Sequence, residues 1–161
     1  MDDEAVIERQ LGRPARGLAG VAARCPYGVP AVVEQDSYLP GGEPFPTTYY
    51  LTCPHAVAAV SALEHAGGVD RYQRLAAEDD VIGRSYREGA ERQRALRRPA
   101  PVMLDGGTSL ALGIGGTAAD GAIKCLHAHA AFALAQPGYL LGDAVLAEAA
   151  PVFPADGCCS A

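Results

Sequence analysis

At Thr47-Thr48-Tyr49-Tyr50-Leu51-Thr52-Cys53-Pro54, a predicted strand passes directly into a predicted helix. The part from Thr47 to Thr52 is rich in β-branched and aromatic residues, which favour strands. Proline suits the first turn of a helix, so Pro54 makes Cys53 the predicted N-cap. Apolar residues then recur at helical spacing, at Val57, Val60 and Leu63, until Gly67-Gly68 ends the pattern. The Cys53 thiol is thus expected at a positive helix end, which should lower its pKa.

Two apolar runs before this stretch complete a small predicted sheet. Leu18 to Ala23 and Ala31 to Glu34 are separated by residues 26–30, which are too dense in glycine and proline to sustain a ladder. In an antiparallel meander the first and third strands run in the same direction, so Cys25 and Cys53 leave the sheet at the same end. Their separation is then ~5–10 Å, depending on whether the middle strand lies between them.

The remainder of the chain is predicted to be helical, with glycine-rich loops. Two charged helices are expected between Val69 and Arg98, another carries Cys125 and ends near residues 136–138, and a short one follows from Tyr139 to Ala149. We therefore predict an α+β fold, in which a small three-stranded antiparallel sheet is covered by about five helices. The alternative is an all-helical domain in which the apolar runs are extended loops.

A single domain is predicted for residues 1–161, because domains most often run ~100–150 residues. Residues 1–17 begin acidic and lack a continuous apolar pattern, so they could be an arm or a short helix leading into the fold, and a solvated terminus is the favoured interpretation. Residues 151–161 show no periodicity and are predicted to be a flexible tail.

Composition and charge exclude several classes of protein. No run approaches the ~18–20 apolar residues that span a bilayer, and Met1-Asp2-Asp3-Glu4 is acidic where a secretory signal is basic, so we expect a cytoplasmic protein without a membrane segment. The net charge of -6 argues against general nucleic-acid binding. Arginines from Arg84 to Arg98 are balanced by Glu88 and Glu91, which predicts a solvated helix. The composition allows a protein partner and leaves the oligomeric state open.

Cysteine and histidine side chains form the candidate site. Residues 121–129 place a thiol, two imidazoles and an ammonium group in an alanine-rich segment. The cysteine count of 5 is odd, and a reducing cytoplasm disfavours disulfides, so metal binding or thiol chemistry is favoured. The candidate metal ligands are Cys25, Cys53, Cys125, His127 and His129.

Zinc is the expected metal, because it is usually held in tetrahedral sites by thiolate and imidazole. An iron–sulfur cluster is less favoured, since the paired cysteine spacing of common cluster motifs is missing. Cys125 and His129 share a face within a helix, whereas Cys125 and His127 share one in an extended segment, so the fourth ligand depends on where the helix begins. The competing interpretation is that small buried cysteines simply pack the core.

The sequence also permits a cysteine-dependent enzyme acting on a phosphoryl or acyl substrate. Cys53 or Cys125 would be the nucleophile, activated by a helix N-terminus and a histidine. The loop at residues 113–116 would bind the anion, and Lys124 would stabilise its charge. No carboxylate in the motif orients an imidazole, so a zinc-stabilised binding or regulatory module is the first hypothesis.

The tail holds Cys158-Cys159 and is predicted to be dispensable. His127 and His129 offer a fourth ligand at smaller conformational cost, because a tail thiol has to close a long loop.

Three motifs resemble the bacterial domain of unknown function family 501: Arg24-Cys25-Pro26, residues 46–54 and Lys124-Cys125-Leu126-His127. The resemblance runs from about Leu11 to Glu148. It implies a cytoplasmic protein, often encoded near a septum-formation-initiator-like protein and an exopolyphosphatase-like enzyme, and it implies no known activity. The three cysteines and His127 fall on the family's motifs. Members often have a histidine where this chain has Phe132, and a residue other than histidine at His55.

Overall fold

Three strands and six α-helices make up the structure, a computed structural model that describes residues 2–118 and 121–159. The strands are β1 (Leu18–Arg24), β2 (Pro30–Gln35) and β3 (Tyr49–Leu51). The helices are α1 (Asp3–Leu11), α2 (Pro54–His65), α3 (Gly68–Glu78), α4 (Asp80–Leu96), α5 (Leu126–Ala135) and α6 (Leu140–Ala149), and a short 3-10 helix spans Thr108–Ala111. The predicted α+β class and three-stranded antiparallel sheet are confirmed.

Strand β2 lies in the middle of the sheet, whose order is β1-β2-β3. Val33 pairs with Val21 on one side and with Tyr50 on the other, and both pairings are antiparallel. Every residue of β2 except Glu34 is buried, so both of its faces are covered. Helices α1 and α5 both contact β2 and provide this cover.

Helix α5 packs against all three strands and against two other helices. Most of its residues are buried, and it contacts β3 as well as α6 and α2. The Phe132 ring meets Tyr49 and Tyr139 edge-on, at centroid distances of 5.7 and 5.2 Å. Helix α6 approaches closely because of Gly142, where a Cβ would lie 2.4 Å from the carbonyl oxygen of His129. This packing fixes the direction of every α5 side chain.

The side chain of Arg97 lies inside the protein, so the prediction of a solvated arginine face was wrong at this position. It is 5% exposed and directly follows α4. Its guanidinium group donates to the carbonyl oxygens of Phe45 and Ser37, at 3.0 and 3.4 Å, and to the Ser109 hydroxyl at 3.4 Å. Burial lowers the pKa of Arg97. The residue joins the end of α4 to the loop between β2 and β3 and to the 3-10 helix.

The prediction of a solvated N-terminus was wrong, because this arm contains helix α1, which packs on the sheet. Val6 and Ile7 are buried, and the Gln10 amide donates to the carbonyl oxygen of Pro30 at 2.9 Å. Among the described residues no single helix is long and apolar enough to cross a membrane, and α5 and α6 meet that criterion only as a pair bent by 109°.

Candidate functional site

Cys25 and Cys53 lie at the same end of the sheet, as the strand directions predicted. Cys25 directly follows β1, whose last residue, Arg24, pairs with the start of β2. Cys53 directly follows Thr52, and the backbone N–H groups of both residues donate to the carbonyl oxygen of Ala31, at 3.3 and 2.9 Å. Both thiols are buried. Two of the predicted ligands are thus placed beside the first residues of β2.

The tail brings two further thiols to this end of the sheet. The Sγ atom of Cys158 lies 4.0 Å from that of Cys25, and the Sγ atom of Cys159 lies 3.6 Å from that of Cys53. Nothing in the local sequence pattern indicates these contacts, since they join residues more than 100 positions apart. We call these four residues the thiol cluster.

Hydrogen bonds to the tail backbone hold the tail in place, in addition to the contacts between sulfur atoms. The Tyr27 hydroxyl lies 2.8 and 2.7 Å from the carbonyl oxygens of Pro154 and Ala155, between which it shares its one proton, and it accepts from the backbone N–H of Gly157 at 3.0 Å. The His55 ring nitrogen Nε2 lies 3.0 Å from the carbonyl oxygen of Pro151. The described part of the tail is therefore docked against the turn after β1 and the first turn of α2.

Cys125 is the N-cap of α5, with an extended backbone and no side-chain capping bond. The capping role falls to Glu64 on α2, whose carboxylate accepts from the backbone N–H of Leu126. The same carboxylate lies 3.1 Å from Nδ1 of His127, and the Ser61 hydroxyl lies 3.1 Å from Nε2. Both ring nitrogens of His127 thus face α2. The structure supplies a carboxylate partner for this imidazole that the local motif lacks.

His129 lies in the core, away from the thiol cluster. Its ring stacks between Tyr86 and Tyr139, at centroid distances of 6.0 and 5.9 Å, and Nδ1 lies 2.6 Å from the Tyr139 hydroxyl. Burial lowers its pKa to about 4, which keeps the imidazole neutral near neutral pH.

The five predicted ligands therefore occupy three places. Cys25 and Cys53 share the sheet end, Cys125 and His127 line one cavity, and His129 packs in the core. Within residues 2–118 and 121–159, no group of three or more histidine, cysteine, aspartate or glutamate side chains is arranged around one point to hold a metal ion.

The predicted lowering of the Cys53 pKa was wrong. The pKa of Cys53 is raised to about 11, mainly by burial and to a smaller extent by the neighbouring Cys159 thiol. The backbone N–H groups of Ala56 and His55 at the start of α2 favour the thiolate, but their effect is smaller than that of desolvation. Burial also raises the pKa of Cys125. Neither thiol has the depressed pKa of an activated nucleophile.

A cavity of about 320 Å³ opens between β3, α2 and α5. Its walls include Tyr49, Tyr50, Leu51, Val57, Cys125 and His127. The glycine loop at residues 113–116 also reaches this cavity, through Gly115. Lys124 donates to the carbonyl oxygen of Gly116 at 2.7 Å, so its ammonium group is used to hold the loop. The cavity is mainly apolar and aromatic, with one imidazole and one thiol at its wall.

Comparison with protein families gives a match to a family described as a protein of unknown function (DUF501), over residues 21–147. The sequence resemblance to family 501 is thereby confirmed, although the match begins some ten residues later than the resemblance does. Neither the search of curated proteins nor that of solved structures found a match.

Proposed function

Since the chain belongs to the DUF501 family, whose description gives no activity, we propose from its geometry that it is a small binding or regulatory module stabilised by a zinc ion. The observation that carries the proposal is the position of Cys25 and Cys53, which the sheet brings to one end, each with a second thiol in contact. Thiolates are the ligands that structural zinc sites use most.

Zinc binding at this place requires the thiols to lose their protons. Burial disfavours the thiolate of Cys53, and a divalent cation offsets this cost because it binds the thiolate directly. The first turn of α2 acts in the same direction, since its N–H groups point towards Cys53. Binding also has to draw the two thiol pairs around a common centre.

The cavity beside β3 is the surface that we propose for binding. Its tyrosine and aliphatic walls suit an apolar or aromatic side chain. A protein partner in a reducing cytoplasm is the class of ligand that fits these walls and the Cys125 thiol among them.

Elemental analysis of untagged protein tests the proposal. We expect about one zinc ion per chain after extensive dialysis. Zinc, and every other transition metal, below about a tenth of an equivalent would end the metal hypothesis. Cys25→Ser and Cys53→Ser should each lower the zinc content, and serine is the matched replacement because it keeps the size of the side chain.

A cysteine-dependent enzyme acting on an acyl or phosphoryl group is the second candidate, and one observation favours it. Glu64 and Ser61 orient the His127 imidazole at the wall of the cavity that Cys125 also lines. The raised pKa of Cys125 and the use of Lys124 in the loop count against it. It requires one thiol whose rate of reaction with iodoacetamide, followed between about pH 5 and pH 9 without a chelator, titrates with a pKa well below the reference value of about 8.5. Uniformly slow rates would rule it out.

A further inference from the structure

The two sulfur–sulfur distances in the thiol cluster match the edges of a zinc–thiolate tetrahedron. Four sulfur atoms about 2.3 Å from a zinc ion lie roughly 3.8 Å from one another. The Cys25–Cys158 distance is 4.0 Å and the Cys53–Cys159 distance is 3.6 Å. A disulfide has a sulfur–sulfur distance of about 2.05 Å, so neither pair is covalently bonded, and both distances are compatible with a shared metal ion.

The two pairs are also linked to each other through the chain, because each pair joins one residue of the tail to one residue at the end of the sheet. Cys158 and Cys159 are consecutive, so their Cα atoms are about 3.8 Å apart. Cys25 and Cys53 flank the first residues of β2, where Pro30 pairs with Arg24 and Ala31 accepts from Cys53. The four sulfur atoms of these described residues are not arranged around one point, so zinc binding has to bring the two pairs together.

We infer that Cys25, Cys53, Cys158 and Cys159 are the four ligands of the metal site, and that the bound metal ion fastens the tail to the end of the sheet. This inference rests on the proposed function and names the site of its metal. Binding releases four protons from the four thiols and forms four zinc–sulfur bonds, without oxidation or reduction. Adjacent cysteines fit one site here because each contacts a different thiol of the sheet.

The remaining candidates are engaged elsewhere in the fold. His127 is held by Glu64 and Ser61, and His129 is buried between tyrosines. Cys125 lines the cavity beside β3, where it shares the wall with His127. The inference thus replaces three of the five predicted ligands, and it makes the tail a part of the site.

Labelling of the wild-type protein tests the ligand set without any substitution. In the zinc-loaded protein, iodoacetamide should modify Cys125 alone among the five cysteines, and after chelation it should modify all five. Peptide mass mapping identifies the modified residues. Protection of Cys125 together with free reaction of Cys158 and Cys159 would overturn the inference.

Matched variants separate the tail thiols from the other candidates. Cys158→Ser/Cys159→Ser should reduce the bound zinc from about one equivalent to less than about a tenth, whereas Cys125→Ser and His127→Gln should keep it. The double variant should also make residues 151–159 sensitive to protease, and chelation of the wild type should do the same. Circular dichroism establishes that each variant is folded.

The outcomes distinguish this inference from the proposed function. If the double serine variant keeps its zinc, the tail ligands are wrong and the zinc module stands. If the wild-type protein holds no transition metal, both fail. If untreated protein without zinc has a mass lower by about 4 Da than reduced protein, the two pairs are disulfides and the metal assignment is overturned.

Discussion

Nδ1 of His129 lies 2.6 Å from the Tyr139 hydroxyl, and the two rings stack at a centroid distance of 5.9 Å inside the protein. This arrangement keeps a neutral imidazole in the core. Among the described residues its other ring nitrogen, Nε2, is buried without a hydrogen-bond partner. Protonation would therefore place an uncompensated charge in an apolar environment.

Stability is predicted to fall as the pH decreases through the range set by His129. The unfolded chain binds the proton at the ordinary pKa of 6.5, whereas the folded protein binds it only near about 4. The contribution of the neutral His129 imidazole to stability is complete above pH 6.5 and is lost as the pH falls to 4. The free energy of unfolding then decreases by on the order of 3 kcal/mol in total. Urea unfolding of the wild type and of His129→Gln across this pH range measures the loss. The difference between their free energies of unfolding should narrow at low pH. The exposed His65→Gln variant should follow the wild type, and a constant gap for His129→Gln would contradict the prediction.

Arg97→Met is predicted to destabilise the fold strongly. The substitution leaves the buried carbonyl oxygen of Ser37 and the part-buried one of Phe45 without their guanidinium donor. The expected loss is about 2–4 kcal/mol in the free energy of unfolding. Chemical denaturation measures it, with Arg98→Met as the control, because the Arg98 guanidinium is exposed and bonds only to the carbonyl of Ala95 among the described contacts. Equal losses of unfolding free energy in the two variants would show that the buried Arg97 contributes no more to stability than the exposed Arg98.

Gly142→Ala is predicted to loosen the contact between α5 and α6. Alanine is favoured over glycine in a helix by about 1 kcal/mol, so propensity alone predicts stabilisation. The added Cβ would however lie 2.4 Å from the His129 carbonyl oxygen and 2.6 Å from the Cβ of Ala133. We expect a net loss of roughly 2 kcal/mol, seen as a lower Tm. Gly20→Ala is the control, because nothing lies within 4 Å of its added Cβ.

Glu64→Ala is predicted to weaken the start of α5. The substitution removes the acceptor for the Leu126 N–H and the partner of Nδ1 of His127. A loss of about 1 kcal/mol is expected, as for an N-cap. Glu64→Gln keeps a capping oxygen and should recover part of it, and Glu78→Ala on the exposed face of α3 should cost little. Thermal melts of the three variants give the comparison, and an unchanged Tm for Glu64→Ala would refute the capping role.

Local pattern predicted the sheet and its connection to α2. Pro54 and the β-branched residues before it define the end of β3 and the start of the helix, since each acts on its own backbone. Strand direction then placed Cys25 and Cys53 at one end. The same reasoning misjudged the Cys53 pKa, because desolvation depends on the elements that pack over a residue, and local sequence does not contain them.

The local sequence pattern could not predict which residues contact the site residues. Glu64 meets His127 across 63 positions and Cys159 meets Cys53 across 106. Such contacts depend on how helices pack, and periodicity does not encode that. The residue at which α5 begins determines the direction of the two histidine side chains. Because Cys125 is the N-cap, the His127 ring faces α2 and the His129 ring lies in the core.

Strand β2 has a hydrogen-bonded neighbour on each edge and cover on both faces. The amide protons of its central residues, Val32 and Val33, can therefore meet solvent deuterium only when β1 or β3 separates and the packed helices lift away. Fraying at the ends of the sheet does not reach them. Their exchange rates follow the global unfolding equilibrium, so these two amides measure the stability of the whole fold under native conditions.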